Sequence, residues 1–294
     1  MQFGVALPTH TTRYREPTVR HVLEAAAQAA EALGYASIWV NDHIIAPQSQ
    51  PAWGDIIEPL ITLASLIPVV PHIHLGTATL VLPQRNALLV AKQAAALDVL
   101  SEGRFILGIG VGWLEEEFQF LNADFHRRGT IADEAIEVMR TVWREPVASF
   151  HGQFYNFAAA LCAPKPARGG PPLWIAGNSP AAMQRAVRVG DAWHPFWLGL
   201  DDFKANVAIL RGLCADRQPP PIALSLAVRI TDDGRSAGGE LAGTAEQVKD
   251  ALEQYRQAGL DYVICHFEAS DGNDLLRQMR VMAEEVVPAL DAAP

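Results

Sequence analysis

The stretch Leu97-Asp98-Val99-Leu100-Ser101-Glu102-Gly103-Arg104-Phe105-Ile106-Leu107-Gly108-Ile109 runs from the end of an apolar helix pattern, through a glycine, into an apolar strand pattern. Glycine just past a helix can take the left-handed conformation that turns the chain back into a sheet. The same joint recurs at Leu33-Gly34-Tyr35, Val189-Gly190-Asp191 and Ala258-Gly259-Leu260. Each marks the passage from a helix to a strand. Repeated units of this kind dictate an α/β fold with a parallel sheet.

Short runs rich in Val, Ile and Phe predict strands at Phe3–Leu7, Ser37–Val40, Ile73–Leu82, Phe105–Ile109, Leu173–Ala176, Ala192–Trp197, Ala223–Ile230 and Tyr262–Phe267. Amphipathic spacing predicts helices at Thr18–Leu33, Leu88–Leu100, Ile131–Trp143, Val207–Leu213, Glu246–Gln257 and Asp274–Val287. In the first of these, Val19, Val22, Leu23, Ala26, Ala30 and Leu33 share one face. Eight strands alternating with helices predict a (β/α)8 TIM barrel, and 294 residues suit a single barrel domain spanning residues 1–294. An open doubly wound sheet is the alternative, which the count of eight disfavours. Two stretches break the repeat. Phe150 to Pro172, with Pro164, Pro166, Gly169, Gly170, Pro171 and Pro172, reads as an irregular insertion. Pro47 to Asp55 follows the second strand, where a barrel loop overlies the active face, so it reads as a lid.

Composition excludes several function classes. Half the residues are apolar and 19% are charged, enough apolar material for a large core. A net charge of −10 opposes nucleic-acid binding, which needs clustered Lys and Arg. No run approaches the ~20 apolar residues of a membrane span, and the first residues enter a strand pattern without a basic leader, so a cytoplasmic protein is expected. Cys162, Cys214 and Cys265 lie far apart and are read as buried thiols; His72 and His74 lack a neighbouring acidic ligand, so no metal is expected.

Barrel chemistry is assembled at the C-terminal ends of strands. The second strand ends in Val40-Asn41-Asp42-His43, where His43 is a candidate general acid or base and Asp42 a candidate carboxylate to orient it. A loop-capping Asp beside a surface His reads equally well. The fourth strand runs into Gly108, Gly110, Gly112 and Trp113, then Glu115, Glu116 and Glu117. Glycines there admit either a ligand or tight backbone packing. After the fifth strand, Ala176-Gly177-Asn178-Ser179-Pro180 opens a helix and suits a phosphate, although Ser179 can also serve as a plain cap. The sixth strand ends in Trp193-His194-Pro195-Phe196-Trp197, an aromatic wall that reads as core or as pocket; on the pocket reading His194 and Trp197, with Trp53 on the lid stretch, are candidate substrate-pocket residues.

Taken in order, Val40-Asn41-Asp42-His43, Leu75-Gly76-Thr77-Ala78-Thr79-Leu80, and Ala91-Lys92-Gln93 through Arg104 resemble the bacterial luciferase-like monooxygenase superfamily. Gly108 to Trp113, Glu117-Phe118 and His126-Arg127-Arg128-Gly129 look like its deazaflavin-dependent branch, and Trp174 to Ala182 with Gly190-Asp191-Ala192-Trp193 continue the match. Relatives often carry Pro shortly after the Arg of the third-strand loop, where this chain has Arg85-Asn86-Ala87.

The resemblance implies a barrel that binds coenzyme F420, or alternatively FMN, at its C-terminal mouth. It assigns the Asp42-His43 pair to the substrate side of the ring, Ala78 and Thr79 to the back of the tricyclic ring, Gly108, Gly110 and Gly112 to the ribityl chain, and Gly177, Asn178 and Ser179 to the phosphate; Glu115 is a further catalytic candidate, and Trp113 and Ala176 are further cofactor-binding candidates. It also places a cis peptide bond between Ala78 and Thr79. The activity implied is F420-dependent hydride transfer to or from a small organic substrate. Alternatives are an FMN-dependent monooxygenase served by a separate reductase and a flavin-binding protein without turnover. A homodimer through the Leu88–Leu100 and Ile131–Trp143 helices is expected.

Overall fold

The apolar runs form strands because their Val, Ile and Phe side chains pack against helices on a pleated surface. In the computed structural model, residues 1–11, 18–215, 217–232, 234 and 240–291 are described. The strands are β1 (Gln2–Ala6), β2 (Ser37–Val40), β3 (His74–Thr77), β4 (Leu80–Val81), β5 (Phe105–Gly110), β6 (Ala148–His151), β7 (Asn156–Ala160), β8 (Leu173–Ala176), β9 (Ala192–His194), β10 (Ala223–Ile230), β11 (Leu241–Gly243) and β12 (Tyr262–Phe267). The helices are α1 (Val19–Ala32), α2 (Pro59–Leu66), α3 (Ala87–Leu100), α4 (Glu115–Phe120), α5 (Arg128–Arg144), α6 (Pro180–Val189), α7 (Leu200–Cys214), α8 (Ala245–Ala258), α9 (Gly272–Val281) and α10 (Val287–Asp291).

Two compact units result. One comprises Met1–Pro8, Thr12–Trp39 and Ile175–Pro294, the other Thr9–Thr11 and Val40–Trp174. In the first, β1 lies parallel between β2 and β12, and β12 lies parallel to β10, which also carries β11. Parallel bridges Trp193↔Ile222 and Phe196↔Ser225 set the β9 segment against β10. The core of this unit is Val5, Ile38, Trp39, Trp193, Leu224, Leu226, Val263 and Ile264, all fully buried. In the second unit β5 pairs in parallel with both β3 and β4. There α3 packs on α5, and the Trp143 indole N–H donates to the Ala91 carbonyl at 2.9 Å.

Several expectations need correction. The predicted third strand, Ile73–Leu82, is two strands separated by Ala78 and Thr79, and the bond between those residues is cis. The predicted irregular insertion begins with an antiparallel hairpin, β6 and β7, in which the Phe150 and Phe157 rings stack at 6.3 Å. The helix predicted from Val207 begins at Leu200, with Asp201 and Asp202 in its first turn. Of the four glycine joints, Gly34, Gly103 and Gly259 have positive φ, but Gly190 is extended. At Gly190 an added Cβ would lie 2.8 Å from Ile175 and 2.9 Å from the Ala186 carbonyl, so close packing is what requires glycine there.

Candidate active site

Two clusters of polar side chains occupy strand ends, one in each unit. In the unit containing Val40–Trp174, β2 delivers Asp42 and His43, both buried. Asp42 does not orient His43. Its carboxylate takes two bonds from the Arg85 guanidinium, at 2.7 and 2.8 Å, and a third from the Val81 N–H at 2.8 Å. Burial pushes this carboxyl up, and Arg85 and the Val81 N–H pull it back. Asp42 therefore ties the end of β2 to the β4 segment and to Arg85. Arg85, the arginine of the third-strand loop, is its main partner.

The partner of His43 is Glu117, from α4. The His43 Nδ1 lies 3.0 Å from Glu117 Oε2, while Oε1 accepts from the backbone N–H of Ile44 at 2.6 Å and of Ile45 at 3.2 Å. Glu115, expected to be catalytic, is half exposed and stands 3.8 Å from His126. A six-residue acidic helix offers several carboxylates, and only burial distinguishes the one that meets the histidine.

Aromatic rings surround this pair. Trp53 lies 4.8 Å from the His43 ring, and Trp113 lies 6.0 Å from it and 6.0 Å from Trp53. Trp53 sits in the short helical turn Pro51–Asp55 of the lid stretch. That stretch is anchored: Thr11 hydroxyl and backbone N–H both bond Asp55, His10 bridges Ile56, and the Ile57 N–H donates to the Thr9 carbonyl at 3.1 Å. Trp113, 55% exposed, with Ile44 and Ile45, gives the cluster an apolar surface.

The glycines of the fourth predicted strand have a structural explanation. A Cβ on Gly108 would lie 1.9 Å from the Thr77 carbonyl oxygen, and one on Gly112 would lie 2.7 Å from Val81 and 2.8 Å from Phe118. Close packing of β5 on β3 and β4 requires them. Gly110 ends β5, Ala78 is buried and Thr79 is partly exposed.

The second cluster belongs to the other unit. Gly177 has φ +125°, and its N–H donates to the His194 carbonyl at 3.1 Å, so that donor is already used within the protein. Its own carbonyl accepts from the Trp193 indole at 2.9 Å. Asn178 clasps Phe196 in both directions, at 2.8 and 3.0 Å, and Ser179 caps α6 by accepting from the Ala182 N–H at 3.2 Å. Asn178, Ser179 and Pro180 are exposed, whereas Ala176 is buried. His194, assigned to a substrate pocket, is fully buried, and its Nε2 lies 2.9 Å from the Ser225 hydroxyl, which also meets His266 Nε2 at 3.2 Å. Burial, reinforced by nearby His266, pushes His194 down to about 3. Trp197, 48% exposed with φ +51°, rests on His266 at 4.6 Å. Ser225 and His266 escaped the sequence reading because both lie inside strands rather than at motif positions.

Among the described residues no three His, Cys, Asp or Glu side chains gather as metal ligands, and no helix is long and apolar enough to cross a membrane. Cys214 and Cys265 are buried thiols, Cys265 pushed up by burial, whereas Cys162 is partly exposed.

Fold and sites together define an α/β protein whose polar groups gather where parallel strands end. The sequence profile of the family described as luciferase-like monooxygenase matches residues 1–237, and the chain belongs to that family. An uncharacterized protein of Mycobacterium tuberculosis (strain ATCC 25618 / H37Rv) is 33% identical over 181 residues, 57% of this chain and 62% of the relative. The oxygenase component of a flavin-dependent trigonelline monooxygenase from Acinetobacter baylyi is 29% identical over 223 residues, 71% of this chain and 59% of the relative. The match thus spans about three fifths of each relative's length. Among solved structures, monooxygenase RslO1 from Streptomyces bottropensis superposes with a TM-score of 0.86 at 20% identity, covering 98% of this chain and 99% of that one. An F420-dependent secondary alcohol dehydrogenase, seen with an F420-acetone adduct, superposes at 0.82 with 17% identity, covering 98% of each.

Proposed function

We propose that this chain is a coenzyme F420-dependent oxidoreductase in which His43 handles the proton that accompanies hydride transfer to or from a small organic substrate. The observation that carries the reading is the His43–Glu117 pair: a buried imidazole bonded to a buried carboxylate and bordered by Trp53 and Trp113. When bound, the deazaflavin supplies or accepts the hydride. His43 gives or takes a proton at the substrate heteroatom, and Glu117 compensates the positive charge that the ring then carries. Trp53, Trp113, Ile44 and Ile45 border the exchange with apolar surface.

The residues present fit such a cofactor. Ala78 is small and buried between β3 and β4, and Trp113 offers an exposed ring; we assign both, with Thr79 and the Gly108, Gly110 and Gly112 backbone, to the tricyclic and ribityl parts. The exposed Asn178–Pro180 turn stands at the positive end of the ten-residue helix α6, and we assign Ala176 to Ser179 to the phosphate, without the Gly177 N–H. The same reading includes closure of the strands as a (β/α)8 barrel, a homodimer through α3 and α5, and a cytoplasmic location.

A second reading, an FMN-dependent oxygenase component served by a separate reductase, is favoured by the likeness to the Acinetobacter oxygenase. Titration of the purified protein with F420 and with FMN, following ring fluorescence, separates the two. Saturable binding of F420 is expected; tight binding of FMN alone would overturn the first reading in favour of the second.

A further inference from the structure

The run Glu115-Glu116-Glu117 places three carboxylates on consecutive helical positions, about 100° apart around the α4 axis. One of them has to turn inward. It is Glu117, whose side chain is 1% exposed against 45% for Glu115. A carboxylate is tolerated in such a place when donors surround it. Glu117 has the His43 ring and the backbone N–H groups of Ile44 and Ile45.

Burial alone would push the Glu117 carboxyl up, but His43, then the Gln84 side chain and the Ile44 N–H, outweigh it and hold the group below its usual range. The side chain is therefore ionised near neutral pH and can only accept hydrogen bonds. Ile44 and Ile45 donate to it as backbone amides. The His43 ring, meeting the carboxylate through Nδ1, must donate as well, which decides its tautomer. A neutral imidazole with hydrogen on Nδ1 carries its lone pair on Nε2. The competing carboxylates are engaged elsewhere: Asp42 is held by Arg85, and Glu115 stands beside His126.

We propose that Glu117 is a positioning residue for His43, holding hydrogen on Nδ1 so that Nε2 is the nitrogen that exchanges the substrate's proton. The proposal rests on the proton-handling role assigned to His43 above. The same carboxylate grips the two amides that follow His43, so one side chain sets both the seat of the ring and its tautomer. Those amides lead into the lid stretch that carries Trp53.

The test is ¹⁵N NMR of the full-length protein, with the His43 ring signals assigned by their loss in His43→Gln and read at a pH where the ring is neutral. In the wild type, Nδ1 is expected to be the protonated nitrogen and Nε2 the unprotonated one. In Glu117→Gln the amide can donate or accept, so the difference between the two nitrogens should shrink or invert. Glu117→Asp, which keeps an acceptor, should retain the wild-type sign. Hydrogen found on Nε2 in the wild type, or ring signals unmoved in Glu117→Gln, would overturn the proposal. If Glu117→Gln does not fold, the wild-type tautomer decides alone. The parent reading fails separately: a His43→Ala enzyme with normal turnover removes the proton role yet leaves the tautomer measurement standing.

Discussion

His43 and His194 are both buried histidines near strand ends, and each has a hydrogen-bonded partner, yet their partners give them different chemistry. His43 meets a carboxylate, Glu117, which compensates a positive charge on the ring. His194 meets the Ser225 hydroxyl, which it shares with His266; burial and the second histidine drive it down to about 3. Burial by itself, then, does not fit a histidine to carry a proton. Under the role proposed for His43 the charge of its partner does, because an ion in a low-dielectric site needs an opposite one.

The largest effect that would test this contrast is on turnover. His43→Ala should lower kcat ~10²–10⁴-fold while cofactor affinity changes little, since a positioned proton-transfer group acts in the transition state. His194→Ala should lower kcat far less, and equal losses in steady-state kinetics would erase the distinction. Next comes the pH dependence of stability. His194 titrates near 6.5 when unfolded and is depressed to about 3 when folded. The unfolded chain therefore binds more protons, so the contribution of His194 is complete above pH 6.5 and is lost as pH falls toward 3. Urea unfolding should follow this with a slope of up to ~1.4 kcal/mol per pH unit that His194→Gln flattens. An unchanged profile in the variant would show that His194 is accessible to protons in the folded state.

Glu117→Ala leaves the buried His43 ring and the part-buried Ile44 and Ile45 amides without their acceptor, and an unsatisfied buried group costs ~1–3 kcal/mol, so denaturant melts should show a loss of ~2 kcal/mol. Glu117 itself is depressed in the folded state, so its stabilisation is present above the ordinary carboxylate range and is lost as pH falls through its lower folded value. Glu117→Gln should remove that acid-side loss. The smallest effect belongs to the other cluster: in Asn178→Ala the exposed side chain gives up its paired bonds to the Phe196 backbone, which should cost ~1 kcal/mol in thermal unfolding. A loss as large as that of Glu117→Ala would mean the two sites are equally embedded.

Much of the architecture was legible in the sequence because strand and helix periodicities are local properties of the chain. All eight predicted strand positions carry strands, and Gly34, Gly103 and Gly259 take the backbone their joints called for. Local signals misled, or left two readings open, where another part of the chain supplied the constraint. Gly190 was read as a turn and is held by Ile175; Gly108 was read as facing a ligand or close packing and is required by the Thr77 carbonyl. The β6–β7 hairpin was missed because its short strands lie in a stretch punctuated by Pro and Gly, which outweighed the alternating aromatics.

For the candidate site, sequence alone determined that His43 ends a strand, that carboxylates lie in the α4 segment, and that a capped helix follows Ser179, since each is set by neighbours along the chain. Only the tertiary structure decided that Asp42 pairs with Arg85, that Glu117 rather than Glu115 meets His43, and that His194 is enclosed with Ser225 and His266. The reason is physical. A carboxylate or imidazole takes its charge and tautomer from what lies within about 3 Å in space, and those partners stand 31 to 74 residues away along the chain.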